Sequence, residues 1–230
     1  MPEVSDQPSK DFHPPEFDGR SSFNRLWGRL PGACRLCHAT TTGLLCHGCL
    51  ADLPIPIEQC RTFSGCTVAG AYEYRPPLSD LIGLAKYGGH RGICRLLGSL
   101  VASALPRPSA RPVILVPIPM PWPRLLWRGY NHAEEMALAL GNLWGCPVDR
   151  SLLARQGWQV PQQGLDRNSR LGNLRSAFKC DFKIKGLSLI LVDDVCTTGA
   201  TMDSAARTLL DTGEGCVSGV VLAHRSPKVL

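Results

Sequence analysis

The chain has 230 residues, of which 44% are hydrophobic, and a formal net charge of +6. This length supports one substantial hydrophobic core plus a small additional module. The modest charge is compatible with anionic small molecules or with nucleic acid, and no apolar stretch is long enough to span a membrane, so membrane insertion is not expected.

The first 24 residues are polar, contain several prolines and show no hydrophobic periodicity. We predict a disordered lead-in over residues 1–24. Acids and prolines stand where a signal peptide needs a basic segment and an apolar core, so we expect a cytoplasmic protein.

A cluster of cysteines follows. The chain contains eleven cysteines, an odd number that does not favour a disulfide framework. Cys34, Cys37, Cys46 and Cys49 form two C-x2-C pairs, which can bring four thiolates to one point. We therefore predict a structural zinc site in a zinc-ribbon module over residues 32–66.

Other interpretations of these cysteines are less favoured than a zinc site. An iron–sulfur cluster or unliganded thiols are less favoured by the spacing, and a redox motif would be expected to open a helix after a strand. His38 and His47 could replace a cysteine ligand, although solvent-exposed histidines are the simpler interpretation. A second site that uses Cys60 and Cys66 is not expected.

From Thr67 onward the hydrophobic pattern alternates between strands and helices. We predict a strand over residues 67–74, then helices that begin near Leu78 and at Arg91. A continuous apolar strand, 113–119, precedes a loop and a helix over 131–143.

The last third repeats the alternation. It predicts a strand over 187–194, a helix over 200–210 that is closed by Gly213, and a strand over 216–225. This order indicates a parallel sheet with two right-handed crossovers in an α/β domain over residues 67–230.

Asp193 and Asp194 end the predicted strand 187–194. Ligands bind outside the carboxyl ends of parallel strands, and two adjacent acids that point in different directions suit the two hydroxyls of a ribose. The following turn, Cys196 to Thr201, combines a glycine and threonines with a helix N-terminus, which is typical of a phosphate-binding loop.

Other interpretations of this stretch are weaker. A nucleotide triphosphatase would need a G-x4-G-K-[ST] loop, which the chain lacks. A nucleophilic Cys196 would need a positioned base, and a simple capped helix would not need the whole threonine and glycine set.

The segment VDDVCTTGAT resembles the phosphoribosyl diphosphate (PRPP) signature of type I phosphoribosyltransferases. The chain as a whole resembles the ComF/GntX family in its cysteine pairs, LAKYGG, VPIP with RGYNHAE, and the spaced residues after Gln162. The resemblance implies a mostly parallel sheet flanked by helices, with an N-terminal zinc ribbon. It also implies PRPP binding with Mg²⁺ and transfer of the phosphoribosyl group to a nitrogen acceptor. The PRPP-binding residues that it implies are Asp193, Asp194, Val195, Cys196, Thr197, Thr198, Gly199, Ala200 and Thr201.

The resemblance extends to the diphosphate and to a lid. Arg124 and Arg128, in the predicted loop after strand 113–119, and Lys86 would contact the diphosphate. Asn131 could join them or cap the next helix. A mobile lid over 155–173 would bring Arg170 to the reacting centre, so Arg170 is a catalytic candidate together with Asp193 and Asp194.

A second hypothesis concerns DNA. The ComF family is implicated in DNA uptake, and Trp122, Trp127 and Tyr130 stand among Arg124 and Arg128. Such a mixture of aromatic and basic side chains can stack single-stranded bases. The chain would then be a competence factor that binds single-stranded DNA or a DNA-processing protein, without catalysis.

Overall fold

The computed structural model describes residues 32–109, 112–156, 177–213 and 215–225. The predicted lead-in over residues 1–24 lies outside these ranges. So does most of the predicted lid, including Arg170.

The fold is α/β, as the sequence predicts. The strands are β1 (Gly32–Ala33), β2 (Thr40–Thr41), β3 (Gln59–Phe63), β4 (Cys66–Glu73), β5 (Val113–Pro117), β6 (Ala154–Arg155), β7 (Phe178–Lys179), β8 (Ser188–Cys196) and β9 (Cys216–His224). The helices are α1 (His47–Ala51), α2 (Leu78–Tyr87), α3 (Arg91–Ala104), α4 (Trp122–Arg128), α5 (His132–Trp144) and α6 (Ala200–Leu210).

The central sheet has five strands in the order β3-β4-β9-β8-β5. Strands β4, β9, β8 and β5 are parallel to one another, whereas β3 pairs antiparallel with β4. The mostly parallel sheet is therefore confirmed. The β3–β4 hairpin spans residues 59–73, so it crosses position 66, where the sequence suggests that the cysteine module ends.

Helices cover both faces of this sheet. Successive apolar side chains of β8 point to opposite faces and therefore pack into two different cores. Ile190 and Val192 belong to the core that contains α2, α3 and α5. Leu189 and Leu191 belong to the second core, under α6. Strands that are buried on both faces need apolar residues at every position, which explains the continuous run in β8.

Two local predictions need correction. Arg124 and Arg128 lie on the short helix α4 and not in a loop. Pro121 and Pro123 stand at the start of this helix, where proline is well tolerated. Strand β8 continues to Cys196, so both acids lie inside its last four residues.

In the part of the chain that the structure describes, no helix is long and apolar enough to cross a membrane.

Candidate functional site

The four cysteines of the N-terminal module converge. Their sulfur atoms all lie within 4.8 Å of one another, and the Cys37 and Cys46 sulfurs are 3.5 Å apart. Tetrahedral zinc with bonds of about 2.3 Å would hold its sulfur ligands roughly 3.8 Å apart. The Cys49 backbone N–H donates to the Cys46 sulfur at 3.5 Å, as expected for a turn that presents thiolates to a metal.

The electrostatics of this cluster favour a thiolate. Burial raises the pKa of the Cys34 thiol, but hydrogen bonds from the backbone of Cys37, Cys46 and Leu36 outweigh it and lower the pKa to about 6. His38 and His47 are exposed and do not belong to the cluster. The residues present therefore fit a structural zinc ion held by four cysteines.

Asp193 and Asp194 lie at the carboxyl end of β8 and are largely buried. The Asp194 residue is only 3% exposed. Burial and the charge of Asp194 raise the pKa of Asp193 to about 6. Burial opposes ionisation of Asp194 as well, but a hydrogen bond from His132 and the nearby Lys86 lower its pKa. Asp194 therefore carries the negative charge of the pair more readily than Asp193.

His132, at the start of α5, contacts both acids. Its Nε2 lies 3.4 Å from Asp194 Oδ2 and 3.7 Å from Asp193 Oδ1. Its Nδ1 lies 3.2 Å from Arg128 Nη1. A guanidinium can only donate, so Nδ1 accepts and Nε2 carries the proton that faces the acids. His132 thus connects the arginine to the acid pair.

Lys86, in the last turn of α2, reaches the same pair. Its Nζ lies 2.8 Å from Asp194 Oδ2 in a largely buried ion pair. The predicted diphosphate contacts Lys86 and Arg128 are thereby brought to the acids. Arg124 is exposed on α4.

The turn after β8 has the features of a phosphate-binding loop. Gly199 has a φ of +80° and directly precedes α6. Glycine has no side chain that could cap the helix. The Ala200 N–H donates to the Thr198 hydroxyl oxygen at 3.4 Å, a weak contact that an anion at this helix N-terminus could replace. Thr197 and Thr198 are exposed beside it. Cys196 is buried, and burial raises the pKa of its thiol, which does not suit a nucleophile.

Two side chains of strand β3 contact this turn. Arg61 Nη1 donates to the Thr197 carbonyl oxygen at 3.0 Å. The Phe63 ring packs against Gly199 so closely that a Cβ there would overlap it. Neither contact could be predicted from the sequence, because β3 lies 136 residues from the turn and only the fold joins them.

Arg155 is a further cation near the acids that the motifs did not identify. Its guanidinium lies 5.3 Å from the centre of the Phe178 ring, and its Nη1 lies 3.5 Å from the Pro119 carbonyl oxygen. Burial and the charge of Arg124 lower the pKa of Arg155, whereas Asp193 opposes the shift. The edge of the sheet therefore collects positive charge around two buried acids.

Asn131 caps α5. Its Oδ1 accepts from the Ala133 backbone N–H at 3.1 Å, and its Nδ2 donates to the Ile118 carbonyl oxygen at 2.9 Å. Of the two roles that the sequence left open for Asn131, the structure supports the cap.

An exposed aromatic surface lies beside the site. Trp122, Trp127 and Tyr87 are 65%, 70% and 70% exposed, and Arg128 lies 5.4 Å from the centre of the Tyr87 ring. Tyr130 does not belong to this surface, which corrects the prediction. Tyr130 is buried, and its hydroxyl donates to the Ala85 carbonyl oxygen at 2.8 Å.

His132 contacts both acids but is not among the site residues that the sequence predicts. It stands inside RGYNHAE as the first residue of α5, yet periodicity alone does not show that it faces the acids. Its position within a motif that follows a parallel strand is the signal that could have identified it.

Comparison with known proteins finds several similar chains, whereas no family model matches. The chain is 30% identical over 189 residues to the DNA utilization protein YhgH of Shigella flexneri, covering 78% of this chain and 77% of that protein. It is 31% identical to the protein of the same name from Salmonella typhi, covering 63% of this chain and 66% of the relative, just under two thirds of its length. Competence protein F of Haemophilus influenzae is 31% identical, with 61% and 65% covered.

Proposed function

The chain belongs to the ComF family, and from this premise we propose that it binds PRPP together with Mg²⁺ at the carboxyl edge of its sheet. One observation carries the proposal. The buried acid pair of β8 is followed within a few residues by a glycine turn that opens α6. Acids for ribose hydroxyls and backbone N–H groups for a phosphate together match a phosphorylated ribose.

The side chains around the acids suit the other end of the same ligand. Lys86 and Arg128 already lie beside Asp194 and His132. Arg124 and the half-buried Arg155 add charge on the side of β5. A diphosphate carries several negative charges, and guanidinium groups match its geometry.

Mg²⁺ would be held by the acid pair and the ligand, and it would neutralise the diphosphate as leaving group. The reaction class is transfer of the phosphoribosyl group to a nitrogen acceptor. The bond between the anomeric carbon and the diphosphate oxygen breaks, and its electron pair leaves with pyrophosphate. The lone pair of the nitrogen forms the new bond, and an N–H acceptor then releases its proton to water. Asp193 and Asp194 would orient the ribose during this step.

Calorimetry with PRPP and Mg²⁺ tests the proposal. We expect binding by the wild type and at least a tenfold loss in Asp193→Asn and in Asp194→Asn, because each removes a charged acceptor. Asp181→Asn is the matched control, since Asp181 forms an exposed ion pair with Lys179. An absence of binding by the folded wild type, or equal binding by all variants, would reject the site.

A second function is favoured by the exposed aromatic surface. We propose that Trp122, Trp127 and Tyr87, next to Arg128, stack bases of single-stranded DNA. The names of the relatives, which refer to DNA utilization and competence, agree with such a partner.

Fluorescence anisotropy with a labelled oligonucleotide tests this function. We expect Trp122→Ala/Trp127→Ala to weaken binding by roughly thirtyfold or more, because each of the two stacked bases contributes about 1–3 kcal/mol. The control is Trp144→Phe, since Trp144 is buried in the core. Binding that is absent at low salt would exclude this function.

A further inference from the structure

The acid pair and His132 form a second group of side chains that could hold a metal ion. One ligand atom from each of His132, Asp193 and Asp194 lies within 4.8 Å of the others. The two carboxylates suit a divalent cation such as Mg²⁺ or Mn²⁺, and Mn²⁺ also accepts an imidazole nitrogen. The two carboxylates therefore fit the cation that the proposed function requires.

Lys86 already neutralises this group. Its ammonium lies 2.8 Å from Asp194 Oδ2, the same oxygen that is 3.4 Å from His132 Nε2. A divalent cation would bind that oxygen at about 2.0–2.1 Å and would be repelled by an ammonium in hydrogen-bond range. Lys86 must therefore leave Asp194 before a cation can bind there.

Arg128 constrains the third donor. Its guanidinium donates to His132 Nδ1, which places the imidazole proton on Nε2. A protonated nitrogen has no lone pair for a metal. His132 can face the acids as a ligand only after Arg128 has moved away and the proton has passed to Nδ1.

We propose that Lys86 and Arg128 hold this metal site closed, and that a diphosphate which binds both side chains opens it for one divalent cation. The inference rests on the proposed function, because that function supplies the diphosphate contacts of Lys86 and Arg128. A diphosphate carries more negative charge than Asp194 or the neutral His132, so it competes with these partners for the ammonium and the guanidinium. Cation and diphosphate ligand therefore favour each other, and the cation alone binds weakly.

Titration with Mn²⁺ alone, read by electron paramagnetic resonance, tests the closed site without any phosphate ligand. The full chain is used, with zinc supplied to the cysteine module. We expect weak binding by the wild type and binding at least about tenfold tighter in Lys86→Met, because a neighbouring positive charge is removed. Lys86→Met/Asp194→Asn should return to weak binding. Lys179→Met, which removes an exposed ion pair, is the matched control.

Arg128→Leu tests the histidine. We expect Mn²⁺ to gain nitrogen coupling in pulsed spectra of Lys86→Met/Arg128→Leu, and to lose it when His132→Phe is added. Circular dichroism confirms that each variant is folded. Lys86→Met that is folded but binds Mn²⁺ no tighter than the wild type overturns the proposal.

Calorimetry with PRPP on the same preparations separates the two claims. Tighter Mn²⁺ binding by Lys86→Met in a protein that never binds PRPP supports the closed metal site and rejects the proposed function. Unchanged Mn²⁺ affinity beside intact PRPP binding rejects only the closed metal site.

Discussion

The cysteine module and the carboxyl edge of the sheet each bring together side chains that can hold a metal, but they do so in opposite ways. The module gathers four cysteine sulfurs in a partly exposed segment that supplies few core residues. The edge gathers two acids on a strand that is packed from both sides and a histidine at the start of α5, with Lys86 already in contact. The first arrangement suits a permanent structural ion. The second suits a ligand that arrives and leaves.

Removal of zinc should separate the two regions most strongly. Cys37→Ser should abolish zinc binding and unfold residues 32–53, because structural zinc contributes on the order of 10 kcal/mol to small modules. Zinc content and hydrogen exchange measure the result, and the exposed Cys216→Ser is the control. Equal protection of the module without zinc would show that packing holds it.

A steric change at the turn that contains Gly199 should destabilise the sheet domain and leave the cysteine module unchanged. Gly199→Ala combines a φ of +80° with overlap of the Phe63 ring, so we expect a loss of about 2–4 kcal/mol in urea unfolding. Gly186→Ala, where φ is +70° and nothing lies within 4 Å of the added Cβ, isolates the backbone term. Zinc content should stay unchanged. Similar losses in both variants would argue against the Phe63 contact.

The two acids should respond differently to neutralisation. Asp194→Asn leaves Lys86 without its anion, and we expect a loss of about 1–3 kcal/mol in the free energy of unfolding at pH 8. Asp193→Asn should instead raise the melting temperature, because burial and Asp194 raise the pKa of Asp193 and its charge is unfavourable. Equal destabilisation by both substitutions would contradict this division of charge.

The smallest expected effect is a dependence of stability on pH. His224 is buried in β9, and its Nε2 lies 3.2 Å from the Val68 carbonyl oxygen. Burial lowers the pKa of His224 below its ordinary value of 6.5. The unfolded chain therefore binds the proton more readily, and stability falls as the pH drops below 6.5. Chemical unfolding across this range should show a shallower decline for His224→Gln, which keeps an N–H donor but cannot titrate.

Hydrophobic periodicity predicted most of the sheet and its helices, because strands such as β8 and helices such as α3 bury regular apolar faces. It missed α4, a proline-bearing helix of seven residues with no buried side chain. It also missed β3, an edge strand in a segment rich in Cys and Pro. Neither element has the strong apolar pattern on which such predictions depend.

The candidate site divides in the same way. Local motifs predicted the four cysteines, the acid pair and the glycine turn, since each is complete within a short segment. The motifs did not predict that His132 faces the acids, that Lys86 pairs with Asp194 or that Arg61 binds the Thr197 carbonyl. Those contacts join distant segments, and they exist only once helices and strands have packed together.

The β3–β4 hairpin has a practical consequence for protein engineering. Arg61 and Phe63 precede Cys66, yet they support the turn at Gly199. We expect that a chimera which exchanges the cysteine module through Cys66 would also remove the two side chains that pack against the turn at Gly199. A junction placed before Gln59 would transplant the module and leave that support with the domain that needs it.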